Sequence, residues 1–424
     1  MIKGNPKSLV ALSFYKNYSA GFISNNQGTF YLGKLKENAR HLIYRKENIK
    51  KASEFQCTVA DETLLQYDSQ ELLKNDSNKN QITTNKVIRL YFETELDIYQ
   101  AFDGSSRKVE EYITGLYHQV ATLYLNEGIN TALSEIRIWK LPDPYCADNT
   151  IELLNQFQNQ YLDQNNTFNG DLAQLLTFRS AGGGRAAGFD GLCNTFPVFS
   201  MAISTNLSPN LPVFPAYSSS VEFVTHEFGH LLGSNHTHDC LWNGDNTAID
   251  SCSGFTVGDC PLPGSPKEGG TIMSYCYNAS VGIDFKLGFG SQPGNVIRDY
   301  VANASCLENT CSEDLIISET VIPGQTDEQK SSNTIVAINT ILNGGSAIYS
   351  PRATLFLKPG FHTQRGSLLQ VFIEGCSDRN TLQHYNDLGS TSFTPYVNTC
   401  NPNEFKKGSS NLSMLVYPLS LIHI

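Results

Sequence analysis

No stretch of this 424-residue chain stays apolar for the length of a membrane span, so nothing in it reads as a transmembrane helix. Basic charge is in deficit: 30 Lys and Arg stand against 41 Asp and Glu, a formal net charge of -11. Such a chain is repelled by a phosphate backbone, which argues against nucleic acid as a partner. No two cysteines have the C-x-x-C spacing of a redox motif or zinc knuckle. The opening M-I-K-G-N-P-K-S-L-V-A-L-S-F-Y lacks both the apolar region and the small-residue cleavage site of a signal peptide. The expectation is that this start is internal to a longer product. The ending Y-P-L-S-L-I-H-I is abrupt, and a truncation is expected there too.

Cysteine itself is plentiful. Eleven residues, at 57, 146, 193, 240, 252, 260, 276, 306, 311, 376 and 400, suit an oxidising compartment and a secreted or cell-surface protein. An odd count leaves at least one outside any disulfide within the chain. Charge is also uneven. Residues 1–51 carry ten Lys or Arg and two acids, and the remainder is strongly acidic. That basic stretch is either a solvated face or a region that docks on an acidic body.

The chemistry is concentrated in V-E-F-V-T-H-E-F-G-H-L-L-G-S-N-H-T-H-D, Val221 to Asp239. Four-residue spacing puts His226 and His230 on one face of a helix, where two imidazoles can hold one metal ion. Glu227 is placed to lean over the ion without binding it. Gly233 can take the left-handed conformation that ends the helix, and the turned chain can bring in His236 as a third ligand. Three protein ligands leave zinc one open position, the mark of a catalytic site.

With these residues the chain resembles the metzincin zinc metallopeptidases, whose long zinc signature H-E-F-G-H-L-L-G-S-N-H fits. Within that clan it looks most like the adamalysin/reprolysin branch in a secreted, Bacteroidota-like bacterial form. The resemblance spans roughly Asn85 to Cys311. It implies a Met-containing turn under the metal, for which G-G-T-I-M-S-Y-C supplies Met273. It implies Zn2+ as cofactor, Glu227 as general base and acid, and a protein or peptide as substrate. Tyr275 is either an auxiliary oxyanion partner, as in some metzincins, or a packed ring. Adamalysins usually place Asp directly after the third histidine, whereas here Thr237 and His238 come before Asp239. His238 and Asp239 are either partners of a ligating histidine or loop polars. In related zymogens a pro-segment cysteine fills the open zinc position. Cys57 in F-Q-C-T-V-A-D is the candidate for such a switch, against an ordinary thiol or a disulfide.

The rest of the chain organises around this motif. Residues 1–84 read as short strands followed by a polar linker from Asp68, together a β-rich pro-segment. Residues 85–311 read as the catalytic domain, an α/β (α+β) fold. Strand 87–94, helix 105–125, strand 134–140, helix 149–162 and strand 172–178 imply a mostly parallel twisted sheet, followed by the active-site helix. Ser219 and Glu222 make a capping box for that helix. The glycine-rich run 180–191 lacks a Walker lysine and reads as a loop. Gly188–Leu192 is the expected rim strand, on which substrate adds as an antiparallel strand, with 198–204 inside it. Disulfides are expected to hold the loop that runs from Cys240 to Cys276 and contains Cys252 and Cys260, with a connectivity the sequence does not give, and Cys376 is expected to pair with Cys400. Residues 312–400 read as a small all-β accessory module, with a role in stability, substrate capture or surface attachment, and 401–424 as a tail. The functional expectation is a secreted zinc endopeptidase made as a latent precursor. The alternative is a non-catalytic surface adhesion or binding protein with a structural zinc.

Overall fold

The computed structural model describes residues 8–16, 19–34, 40–45, 56–59, 67–73, 86–162, 167–208, 217–307, 312–373 and 413–414. The chain divides into two units, residues 1–308 with 389–424, and residues 309–388.

The first unit begins with an antiparallel sheet of β1 (Leu9–Phe14), β2 (Ser19–Asn25), β3 (Gly28–Lys34) and β4 (His41–Arg45), paired in sequence order. Its apolar face is not left open. The Phe22 ring meets Phe285 edge-on at 4.9 Å, and Ser24 Oγ donates to Asp284 Oδ1 at 2.9 Å. β5 (Gln56–Val59) and a short helix, α1 (Ser69–Leu72), follow. Leu72 is buried, and its carbonyl accepts from Asn295 Nδ2 at 3.0 Å. Leu72 is thus packed, where composition alone gives a linker.

The central sheet is built from β6 (Val87–Thr94), β7 (Asn130–Ile138), β8 (Leu172–Leu176), β9 (Gly183–Ala186) and β10 (Met201–Ser204). Its order is β7-β6-β8-β10-β9-β5, and β18 (Ser413–Met414) pairs antiparallel outside β7. The β7-β6-β8-β10 ladders are parallel, and β9 runs antiparallel to β10. Both faces are covered, so β6 is buried at every residue from Leu90 to Thr94. One face carries α3 (Ser106–Asn126), through Val109, Ile113, Leu116, Val120 and Leu123, and the active-site helix α5 (Tyr217–Leu231). The other face carries α4 (Thr150–Asn159), through Leu154 and Phe157. Ile151 of the same helix is exposed. A short helix, α2 (Leu96–Ala101), links β6 to α3, and α6 (Ser291–Asn303) ends this body. Ser105 and Asn149 cap α3 and α4 through their side chains.

Two local expectations are corrected. Ser219 lies within α5, which begins at Tyr217, so Ser219 is not its cap. The glycine-rich run forms β9, and this strand rather than Gly188–Leu192 borders β10. The reason is tertiary: Gly184 must lie against a side chain described below.

The second unit is a stack of parallel strands. It comprises β11 (Ser312–Ile317), β12 (Thr326–Ala337), β13 (Thr340–Ile341), β14 (Ser346–Pro351), β15 (Thr354–Leu357), β16 (His362–Thr363) and β17 (Leu368–Val371). Register partners fall 19 to 22 residues apart, as in Thr326–Ser346–Leu368 and Asp314–Thr334–Thr354. Gly324, Gly344 and Gly366 recur at one corner with positive φ and are joined by backbone hydrogen bonds of 2.9 and 3.1 Å. This is a short solenoid, where the sequence suggests strands alternating with turns. With so few repeats, the corner glycines are the one clear periodic signal. Cys376 and Cys400 lie outside the described residues.

Candidate metal centre

α5 turns His226 and His230 to the same side, four residues apart. Its opposite side packs Phe228 against Phe92 at 5.7 Å. Gly229 has no side chain because Met273 lies there: a Cβ would come within 2.6 Å of its sulfur. Met273 is fully buried, and its carbonyl accepts from Thr237 N at 3.2 Å. Met273 thus packs against α5 at Gly229.

Gly233 takes φ +94° and reverses the chain. The reversal brings the Ser234 carbonyl 2.7 Å from His230 Nδ1, while His226 Nδ1 lies 2.6 Å from the Ile272 carbonyl. A carbonyl only accepts, so each Nδ1 carries the proton and each Nε2 presents a lone pair. The two Nε2 atoms are 3.1 Å apart, and His230 Nε2 is also 3.1 Å from His236 Nε2. Cys57 Sγ lies 3.2 Å from His230 Nε2. The four donor atoms all lie within 4.8 Å of one another and are buried. Burial lowers the pKa of all three imidazoles, that of His226 to about 4, so they stay neutral. Facing lone pairs repel unless a cation lies between them. A tetrahedral zinc with N ligands at about 2.0–2.1 Å separates its nitrogens by roughly 3.3 Å. The donor set and its spacing fit zinc.

Beside this centre is Glu227, wholly buried, with neither oxygen in a hydrogen bond among the described residues. Burial pushes its pKa well up, and the Cys57 thiol and Arg185 act against that rise. A carboxylate of raised pKa beside a metal is poised to carry a proton. It fits because Gly184 of β9 lacks a side chain: a Cβ there would stand 2.0 Å from Glu227 Oε1.

Cys57 is a buried thiol, its pKa raised by burial and then by the Glu227 charge. It is delivered by β5, which pairs in parallel with β9 so that Cys57 faces Gly184. The Tyr275 hydroxyl donates to the Cys57 carbonyl at 2.6 Å, and its ring lies 4.8 Å from that of His236. Asp239 accepts the backbone N–H of His236 at 3.0 Å. It therefore braces the third histidine through its main chain. His238 stacks on His236 at 5.0 Å.

Disulfides Cys240–Cys260 and Cys252–Cys276 tie the loop between α5 and the Met273 turn, and Cys193–Cys306 ties the chain after β9 to the end of α6. Sequence reading missed Gly184, Tyr67, Asn235 and Trp242. Only the glycine richness of 180–191 signalled any of them.

The fold and this centre bring three histidines and a thiol that could hold a metal ion together on a mixed α/β scaffold. Residues 84–284, the segment bearing the histidines, match the family model Reprolysin_5, described as metallo-peptidase family M12, which supports a zinc-dependent peptidase for that segment. Among solved structures, metalloproteinase-II from Bacteroides fragilis is similar at 17% identity, over 56% of this chain and 73% of that chain, with a TM-score of 0.29. A chain titled as a chaperone-substrate complex is similar at 14% identity, over 52% of this chain and 36% of that one, with a TM-score of 0.32.

Proposed function

We propose that the protein is a secreted zinc endopeptidase of reprolysin-like metzincin type, held latent by its own N-terminal residues 1–84. The observation that carries this is the neutral triad His226, His230 and His236 beside the buried carboxylate of Glu227. A structural zinc needs no neighbouring base. Zinc, when bound by the three imidazoles, supplies Lewis acidity to the scissile carbonyl and to the attacking water. Glu227 takes the proton from that water and delivers it to the leaving amine nitrogen. The substrate backbone lies along β9, where β5 lies in this chain. The Tyr275 hydroxyl, now on the Cys57 carbonyl, is then available to the substrate carbonyl.

Latency follows from Cys57. Its thiol, as a fourth donor, closes the coordination shell against water. β5 runs parallel to β9, opposite to the direction expected of a substrate, so it is not presented for cleavage. In this reading residues 85–311 are the enzyme and residues 312–400 an accessory module suited to surface attachment.

Three imidazoles and a thiol also suit a closed structural zinc site, and that favours one other reading, a non-catalytic binding protein. Casein hydrolysis by the zinc-loaded full chain and its Cys57→Ser variant separates the two. The peptidase reading expects a silent parent and an active variant, with activity lost again on adding Glu227→Gln at unchanged zinc content. A folded, zinc-loaded Cys57→Ser chain with no activity on any protein substrate favours the binding protein.

A further inference from the structure

Ten residues after Cys57, Tyr67 is held as a bound ligand would be. Its hydroxyl lies 2.8 Å from the Gly233 carbonyl and 2.7 Å from Asn235 Oδ1, two acceptors for its one proton. The same oxygen accepts the Asn235 backbone N–H at 2.9 Å. The ring stacks on Trp242 at 4.9 Å with planes 26° apart. The receiving groups are rigid. Trp242 is fully buried and its Nε1 donates to the His236 carbonyl at 2.8 Å, and Asn235 is 3% exposed.

Packing alone does not account for this arrangement. A phenylalanine would cover Trp242 equally well, whereas here a donor and two acceptors converge on a phenol oxygen. The pocket also adjoins the metal centre through the chain, because Gly233 follows His230 by three residues and Asn235 directly precedes His236. When the N-terminal segment withdraws, the Asn235 N–H and Oδ1, the Gly233 carbonyl and the face of Trp242 all lose their partner. Buried polar groups left unmet are costly, so the emptied pocket favours an occupant with the same chemistry.

We propose that the Gly233–Asn235–Trp242 pocket is a substrate subsite for a tyrosyl side chain, which Tyr67 occupies in the intact chain. The proposal rests on the reading of residues 1–84 as a segment that leaves. Asn235 is its specificity-determining residue. A site that binds a hydroxyl by fixed partners discriminates against the analogue lacking it far better than an apolar pocket discriminates by size.

The test uses the full zinc-loaded chain carrying Tyr67→Ala, with N-acetyl-tyrosinamide and N-acetyl-phenylalaninamide as probes. Trp242 emission is the readout, since Trp139 sits in the core under α4. Saturable binding of the tyrosyl probe to Tyr67→Ala and not to the parent is expected. The phenylalanyl probe should bind about tenfold more weakly or worse, and adding Asn235→Ala should bring the two probes level. No binding to a folded Tyr67→Ala chain, or equal binding of both probes, overturns the proposal. A second measurement leaves Tyr67 unchanged, in case that variant does not fold. In peptide pairs differing only by Tyr or Phe, cleaved by the activated wild-type protein, one position should favour Tyr by about tenfold in KM. Equal KM values at every position overturn it. Probe binding without any cleavage would sink the peptidase reading and leave the subsite standing.

Discussion

Gly184 and Glu227 occupy one space: a Cβ on Gly184 would stand 2.0 Å from Oε1 and 2.5 Å from Cδ of the carboxylate. Replacing Gly184 by alanine must therefore displace Glu227 or the strand. In a Cys57→Ser background, Gly184→Ala is expected to lower kcat by about a hundredfold, the scale of a misplacement near 1 Å. Zinc content should be unchanged. Glu227→Asp withdraws the carboxylate by one methylene, so it should restore part of the rate to Gly184→Ala while impairing the parent. Steady-state kinetics on the four proteins checks this, and independent, additive losses would refute the shared-space argument.

Glu227→Gln keeps shape and removes the ionisable group. Activity should drop by roughly 10^2 to 10^4 fold, the range for loss of a general base. The fold should not suffer. The carboxylate is wholly buried and burial pushes its pKa well up, so the neutral amide relieves a desolvation cost. Thermal unfolding of the apo proteins should put Tm of the variant at or above that of the parent.

Metal removal should be felt as instability. Zinc binds the folded donor set and not the unfolded chain, so a thousandfold excess over Kd contributes about 4 kcal/mol. Chelation should lower Tm, readdition of zinc should restore it, and His236→Ala should abolish the restoration. Cys57 should also react faster with an alkylating agent once zinc is gone. Identical unfolding curves with and without chelator would count against a zinc site.

Cys193–Cys306 closes a long loop, its cysteines 113 residues apart, and joins the chain beyond β9 to the end of α6. Replacing both with serine should cost about 2–5 kcal/mol, measured by urea unfolding. A change under 1 kcal/mol would mean that the loop is held by packing alone.

Asp143 accepts the backbone N–H groups of Leu96 at 2.7 Å and Tyr145 at 2.9 Å. Burial nevertheless outweighs these bonds and pushes its pKa from 3.8 to about 6. The folded state therefore holds its proton more tightly than the unfolded chain. The stability this confers is complete below pH 3.8 and is lost as pH rises through about 6. Asp143→Asn should flatten that part of the stability profile, read from denaturant midpoints at a series of pH values. An unchanged slope would assign the effect to other carboxylates.

How much could be read before folding was considered differs by element. β6 falls at 87–94 as its run of apolar residues indicates, and the apolar stripe of α3 is buried at every named position. These are local periodicities that a packed face must respect. In α4, Leu154 and Phe157 are buried while Ile151 is exposed. β9 was illegible because its glycines mimic a loop. They are there for the close approach of Glu227, not for flexibility. The solenoid was illegible because parallel pairing between residues 19 to 22 apart leaves little local trace.

The sequence by itself determined the triad and its helix. Spacing of four residues, then a glycine, fixes which side chains can meet on one turn of backbone whatever surrounds them. Only the tertiary structure decided what stands over that triad. Cys57 reaches His230 across 173 positions, Tyr67 reaches Asn235 across 168, and Tyr275 reaches the Cys57 carbonyl across 218. Such meetings depend on which strand pairs with which and on which faces are buried, quantities set by the whole chain and not by the residues that meet.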